Sequence, residues 1–480
     1  MAVELAVPFK ILFDLTMKLG KIPSGWKSAE VRPIFKKGNK SSPDNYRPVS
    51  LTSVVCKVFE KIIRDSLCCH MKENNILSRD QFGFCQGRSC VTQLLVTIND
   101  WMFSLDNQQP VDAAYLDFSK AFDSVPHKRL LHKLSSYGIK GNVLNWVSDF
   151  LGERTQFVSI NDKKSSPIPV TSGVPQGSVL GPTLFIYYIN DLPDSTDQIV
   201  RLFADDSKVY SEIKSQEDIN KLQKGIDDMV SWSEKWLMRF NSKKCKILHL
   251  GKNNPNHTYH MKEGNDINPL AATECEKDLG VNVDPLLNFD QHINQVCKKA
   301  RSISGLLMRT MTCRNWDIMV PLFKALIRPH LEYANPVWSP YKAKYIKQIE
   351  QIQRDFTRHV YGMKNLEYAQ RLRCLKLPSL QYRRFRGDLI EVFKLTHDLY
   401  DPQTTKSLLT SAIFPFTRCH NYKLHKLRTN TVQYKQFFTN RVVDSWNNLP
   451  HAIVNAESVN SFKNLVDKHF EHIMFETDFL

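Results

Sequence analysis

Apolar positions along this chain recur at two spacings, and the change from one to the other divides it into elements. The opening, MAVELAVPFKILFDL, has a mixed apolar pattern that reads as an amphipathic helix ending near KLGKIPSGW. Val31 to Phe35 reads as a short strand, Lys36 to Asp44 as a polar loop, and Asn45 to Leu51 as the returning chain. In SVVCKVFEKIIRDSLCCHM, Val55, Val58, Phe59, Ile62 and Ile63 recur at three- and four-residue spacing, which predicts a helix with one buried face. GRSCVTQLLVTINDWMFSL predicts a second helix, capped near Ser89. VDAAYLDF, Val111 to Phe118, is short and apolar and predicts a strand. A helix follows Pro126, with Leu130, Leu131, Leu134 and Tyr137 on one side and Gly138 at its end. LNWVSDFLGER continues as helix, and TQFVSINDKKSSPIPV reads as two strands about an Asn161-Asp162 turn. SVLGPTLFIYYINDLP is a mostly apolar helix whose first turns hold Gly181 and Pro182. A strand, a turn and a strand surround Asp205, then a long amphipathic helix leads to the strand KCKILHLG. Strands interleaved with helices up to Gly251 predict an α+β unit. The rest reads as a short strand followed by mostly helix.

Composition narrows what such a fold can do. Of 480 residues, 42% are hydrophobic and 24% charged, which fits a folded chain of two or three domains. The net charge of +16 favours a polyanionic partner, nucleic acid before an anionic membrane surface. Within Ser339 to Val360 the basic residues Lys342, Lys344, Lys347, Arg354 and Arg358 outnumber the acidic Glu350 and Asp355. That excess suits either a phosphate backbone or a solvated helix face. Eleven scattered cysteines do not form a complete disulfide framework, so no disulfide partner is expected. Neither LCCH nor FCQGRSC has zinc-site spacing. No apolar run approaches the roughly 20 residues that span a bilayer, and the start lacks a secretory pattern. An intracellular setting without a membrane partner is expected.

IVRLFADDSKVY places Asp205 beside Asp206 inside a strand-like segment. Adjacent carboxylates repel, and neither is stable buried alone. On spacing alone a surface hairpin turn is the commoner explanation; the chemical one is a metal site. Two-metal phosphoryl transfer needs converging carboxylates around ions about 3.5 to 4 Å apart. Asp117, at the end of its strand, and Asp205 could supply them if their strands are neighbours, with Asp206 in a lesser, orienting role. Lys36 and Arg47 flank a polar loop and could close over a triphosphate. In SGVPQGSVLGP, Gly173, Pro175 and Gly177 shape the backbone and place Gln176 at the head of a helix. An ordinary glycine-rich loop would look the same. No P-loop signature is present.

Three ordered blocks then carry a resemblance: Asp117-Phe-Ser-Lys-Ala-Phe-Asp123, Gly173-Val-Pro-Gln-Gly-Ser-Val-Leu-Gly-Pro182 and Phe203-Ala-Asp-Asp206. Together with PSGWKSAEVRPIFKKGNKSSPDNYRPVSL, LSRDQFGFCQGRSC, WLMRFNSKKCKILHLG, EKDLGV and RPHLEYANPVWSP, the chain closely resembles the reverse transcriptases of non-LTR retrotransposons, in the manner of jockey and chicken-repeat-like elements. The resemblance implies a right-hand polymerase: residues 1–283 as fingers and palm (fingers mainly 14–110, palm mainly 111–283), a helical thumb at 284–362 and a mostly helical C-terminal region at 363–480. It implies an RNA-directed DNA polymerase using Mg²⁺, dNTPs, an RNA template, a DNA primer and the template-primer duplex. Asp117, Asp205 and Asp206 match the catalytic, metal-holding aspartates. Phe122 matches the residue under the incoming sugar, Gln176 the pocket glutamine, Lys36 and Arg47 the residues around the triphosphate, and Lys244 the lysine beside the pyrophosphate. Asp123 reads as structural.

Phe203 departs from the tyrosine usual before the aspartate pair. No endonuclease or RNase H block is legible, so a target-nicking endonuclease, if needed, is expected from another chain. The rival readings are a non-catalytic nucleic-acid binder, a relic of an element, and an RNA-dependent RNA polymerase, which Phe122 argues against. The life cycle of such elements implies the nucleus.

Overall fold

The computed structural model describes residues 2–412 and 420–477. The opening helix is α1, Ala2–Leu19. Strands β1 (Ser28–Phe35) and β2 (Tyr46–Leu51) form an antiparallel hairpin in which Ile34 pairs with Arg47. Helix α2, Val54–Glu73, is capped by Ser53, whose hydroxyl accepts from the Cys56 amide. Its buried face differs from the one the spacing predicts. Cys56, Phe59, Ile63, Leu67 and Met71 point inward with Glu60, while Val58 and Ile62 are exposed. The apolar positions span more than one face, and a buried carboxylate took a place on the inner one. Helix α3 is Cys90–Asp106, with a reciprocal Ser89–Thr92 capping box.

Strand β3, Val111–Leu116, is followed by the short turn α4 (Ala121–Ser124) and by α5 (His127–Ser136) and α6 (Gly141–Leu151). Strands β4 (Arg154–Ile160) and β5 (Lys163–Lys164) meet at Asn161 and Asp162, both left-handed (φ 46° and 64°), as a two-residue hairpin turn requires. β6 is Ile168–Val170 and α7 is Gly181–Ile189. β7 (Ile199–Phe203), β8 (Asp206–Glu212), α8 (Gln216–Lys235) and β9 (Lys246–Leu250) follow. Two short hairpins, β10–β11 (His260–Glu263 with Asp266–Pro269) and β13–β14 (Glu276–Asp278 with Val281–Val283), and strand β12 (Ala271–Thr273) complete the strands among the described residues.

The central sheet runs β12-β9-β3-β8-β7. β3 is antiparallel to both neighbours, so two strands far apart in sequence flank it. Its side chains alternate between two cores. Val111 and Ala113 join a cluster with α3 and the later helices, while Ala114 and Leu116 join one with α2, α5, α7 and α8. A sheet covered on both faces needs a near-continuous apolar strand, which is how VDAAYL reads.

Beyond β14 the chain is mostly helical, beginning with α9 (Asp290–Thr310) and including Ala343–Arg358, Leu380–Thr396 and Val459–His469. The helical stretch around Pro329 is divided. A π-helical segment, Phe323–Ile327, separates Trp316–Leu322 from Arg328–Glu332, where proline lacks a donor N–H. No helix of the described residues is long and apolar enough to cross a membrane.

Candidate active site

Strand register brings the acidic residues together. Leu116 pairs with Ser207 and Phe203 with Asp206. One further step along β3 sets Asp117 across from Asp206, and Ala204-Asp205 forms the two-residue turn joining β7 to β8. Ala204 takes the left-handed conformation, φ 54°, that such turns need. Asp117 is fixed from its other side: its amide meets the Cys245 sulfur (3.4 Å), its carbonyl accepts from the Asn241 amide (2.8 Å), and Lys244 Nζ donates to its Oδ1 (3.1 Å).

The carboxylates strain against one another. Burial raises Asp205, and Asp117 raises it further, while Arg47 and Lys36 pull it down. Asp206 is pushed up to about 6 by desolvation and by the charges of Asp205, Asp278 and Asp117, against which Lys208 acts. Lys36 and Arg47 are both exposed, and their positive charges are felt at Asp205. They are set by the hairpin, in which the Lys36 amide also donates to Asn45 O (2.8 Å).

The glycine-rich loop closes the third side. Gly173 has φ 87°, and a Cβ there would lie 2.7 Å from the Asp123 backbone. The loop runs along the segment after Asp117: Gly173 N donates to Val125 O and Val174 N to Phe122 O, each 2.8 Å. Gln176 Nε2 donates to Asp123 Oδ1 (3.1 Å), and its carbonyl accepts from the Ser50 amide of β2 (2.7 Å). Phe122 is half-buried and stacks on Phe185 of α7, centroids 4.3 Å apart. The fold thus brings Asp117, Asp205, Asp206 and Lys244 to one end of the central sheet and ties Gln176 and its loop to the segment that follows Asp117.

Two supporting residues escaped sequence reasoning. Glu60, fully buried, accepts with Oε2 from the amides of Val179 (2.7 Å) and Leu180 (3.0 Å), fixing the loop that carries Gln176. A glutamate on the apolar face of α2 was the available signal. Gln81, also fully buried, accepts with Oε1 from the Ala204 amide (2.9 Å) and donates with Nε2 to the Ala204 carbonyl (3.4 Å). Gly83 must follow, because a Cβ there would lie 2.3 Å from Ala204 N. The signal was the Gln-Phe-Gly-Phe string, which carried a resemblance but no assigned role.

The donor set is all carboxylate oxygen, the chemistry of hard divalent cations. Mutual repulsion among Asp117, Asp205 and Asp206 is what bound cations relieve, so the residues fit such ions in charge and donor type. Among the described residues no three His, Cys, Asp or Glu side chains are drawn into a ready cage; Asp117 pairs with Lys244 instead.

Residues 34–283 match the model of a family described as reverse transcriptase (RNA-dependent DNA polymerase). The chain is 29% identical over 390 residues to the RNA-directed DNA polymerase from mobile element jockey of Drosophila melanogaster, covering 77% of this chain and 42% of that protein. It is 29% identical over 337 residues to the probable RNA-directed DNA polymerase from transposon BS of the same fly, covering 63% and 35%. The chain thus spans about two fifths of the length of these relatives. Among solved structures, apo telomerase from Candida tropicalis aligns over 77% of this chain and 66% of its own, at 11% identity and a TM-score of 0.43, too distant to argue from. With more than half of its length matched by the family model, and jockey-type polymerases as relatives, the chain belongs to the reverse transcriptase family, among those of non-LTR retrotransposons.

Proposed function

We propose that the chain is an RNA-directed DNA polymerase that transfers dNMP from a dNTP to a primer 3′-hydroxyl on an RNA template. The observation that carries this is the register that sets Asp117 beside the Asp205-Asp206 turn, where the charges of Lys36 and Arg47 are also felt. In this reading residues 14–110 are mainly fingers, 111–283 mainly palm, 284–362 thumb and 363–480 a helical C-terminal region.

Asp117, Asp205 and Asp206 would hold two Mg²⁺ ions. When bound, these supply charge neutralisation for the reacting phosphate and lower the pKa of the attacking hydroxyl. The chain's own groups do the rest. Arg47, with forked donors, and Lys36, as a point charge, hold the triphosphate in line. Phe122, braced by Phe185, lies under the sugar, where a 2′-hydroxyl would meet the ring. Gln176 borders the nucleotide pocket and is kept there by Asp123, Ser50 and, through the loop, Glu60. Lys244, already at Asp117, is placed to give a proton to the departing pyrophosphate. The basic helix Ala343–Arg358 suits the template-primer backbone, with Lys344, Lys347, Arg354 and Arg358 outside its buried set.

The test is dTTP incorporation on oligo(dT)-primed poly(rA), with Mg²⁺ and with EDTA, beside Asp205→Asn. Metal-dependent synthesis is expected, lowered about a hundred- to a thousandfold or more in the variant, the scale on which preorganised charge acts. A folded chain that binds the primed template but extends nothing would be the non-catalytic binder instead.

A further inference from the structure

The turn bearing Asp205 is held from outside its own hairpin. Besides the two bonds from Gln81 to Ala204, Leu202 N donates to Asp80 O and Phe82 N to Leu202 O, each 2.8 Å. The segment Asp80–Phe82 therefore runs beside β7 as a single parallel bridge. It is too short to hold itself. Arg201 of β7 anchors one end through an ion pair with Asp80. Arg88 anchors the rest: Nη1 donates to the carbonyls of Ser78 (2.6 Å) and Gln81 (2.5 Å).

The Arg88 side chain is only 2% exposed, so its charge needs a carboxylate. That carboxylate lies 313 residues on. Asp401 Oδ2 accepts from Arg88 Nε (2.9 Å) and pairs with Nη2 (2.8 Å). The backbones meet as well: the Asp401 amide donates to Gly87 O (3.0 Å), and a Cβ on Gly87 would stand 3.1 Å from that amide. Asp401 lies outside the residues matched by the family model, in the helical C-terminal region.

We propose that Asp401, through Arg88 and Gln81, is a positioning residue for the Asp205 turn, so that the C-terminal helical region is a working part of the polymerase. The links through Gln81 are buried polar contacts, and the Arg88–Asp401 pair is part-buried with the guanidinium inside. Removing Asp401 leaves a buried guanidinium uncompensated, and that charge relaxes by drawing away from the carbonyls it now fixes. A catalytic group misplaced by ~1 Å can cost about a hundredfold in rate. Arg201–Asp80 still holds part of the segment, so the loss from Asp401 is the smaller of the two.

This rests on the reading of Asp205 given above, and the test separates the two. The 480-residue chain and its Gln81→Leu, Asp401→Asn and doubly substituted forms are compared by single-turnover extension, primer-template affinity and backbone hydrogen exchange. Expected are about a tenfold slower step or more for Gln81→Leu, about threefold for Asp401→Asn, and no further loss in the double variant, since both act on one turn. Primer-template affinity stays within about twofold. Asp401→Asn also speeds exchange at residues 78–84 and 203–206, a readout that does not depend on activity. Unchanged exchange at 203–206 in Asp401→Asn overturns the proposal, as does additive loss in the double variant. An inactive parent chain overturns the polymerase reading but leaves the exchange result to decide the coupling. Should Gln81→Leu not fold, Gln81→Glu, which cannot donate to the Ala204 carbonyl when ionised, takes its place.

Discussion

The two sides of the candidate site are built differently. The carboxylate side sits at the end of a sheet covered on both faces, and its turn is gripped by the fully buried Gln81. The cationic side, Lys36 and Arg47, stands at the β2 edge of a second sheet, ordered β2-β1-β4-β5, whose β1 and β2 reach the core through few buried positions, Ala29, Val31 and Ser50 among them. Burial of many apolar groups makes the first side stiff, whereas an exposed sheet edge with few buried apolar contacts opens at lower cost. The difference suits the chemistry. Like charges must be forced together and kept there, while groups proposed to admit and release a triphosphate gain from mobility.

Breaking the stiff side has the larger effect. In Gly83→Ala the new methyl would lie 2.3 Å from Ala204 N, so backbone must shift. Stability falls by about 1 to 3 kcal/mol, the usual range for overpacking, and extension falls about a hundredfold. Thermal unfolding and primer extension on the same preparation check both, and an unchanged rate would show that the turn has room to spare. On the mobile side, Arg47→Ala is expected to raise the KM for dNTP about tenfold, with stability within ±0.5 kcal/mol, as befits an exposed position. A matching fall in Tm would mean that the hairpin is as integral as the sheet.

The smallest effect reads the strain itself. Asp206 is raised to about 6 in the folded chain, above its ordinary value of 3.8. Between those values the native state binds more protons than the unfolded state, so this group takes stability away as pH rises through the window. Asp206→Asn is therefore expected to raise the Tm of the metal-free chain above pH 6, with the gain shrinking towards pH 4. Scanning calorimetry in EDTA across that range checks the sign, and a gain confined to low pH would refute it.

Much of the chain up to Gly251 was legible because it is local. The helix α3 announces its cap, and the Asn161-Asp162 turn its conformation. The three acidic residues were legible as candidates, since strand-like flanks around paired aspartates are rare enough to question. The apolar face of α2 was misjudged, because spacing counts hydrophobic residues and cannot see that Glu60 is wanted inside by two amides of a loop 119 and 120 residues away.

That contrast divides the whole protein. Helix and strand periods, turn residues and the chemical character of the site follow from neighbours within a few positions, where backbone sterics and local hydrogen bonds act. Which strand lies beside β3, which glutamine grips the Asp205 turn and which carboxylate neutralises Arg88 depend on partners 91 to 313 positions apart in a chain that is folded back on itself. A buried polar group finds its partner in space, and no periodicity records where in the sequence that partner will come from.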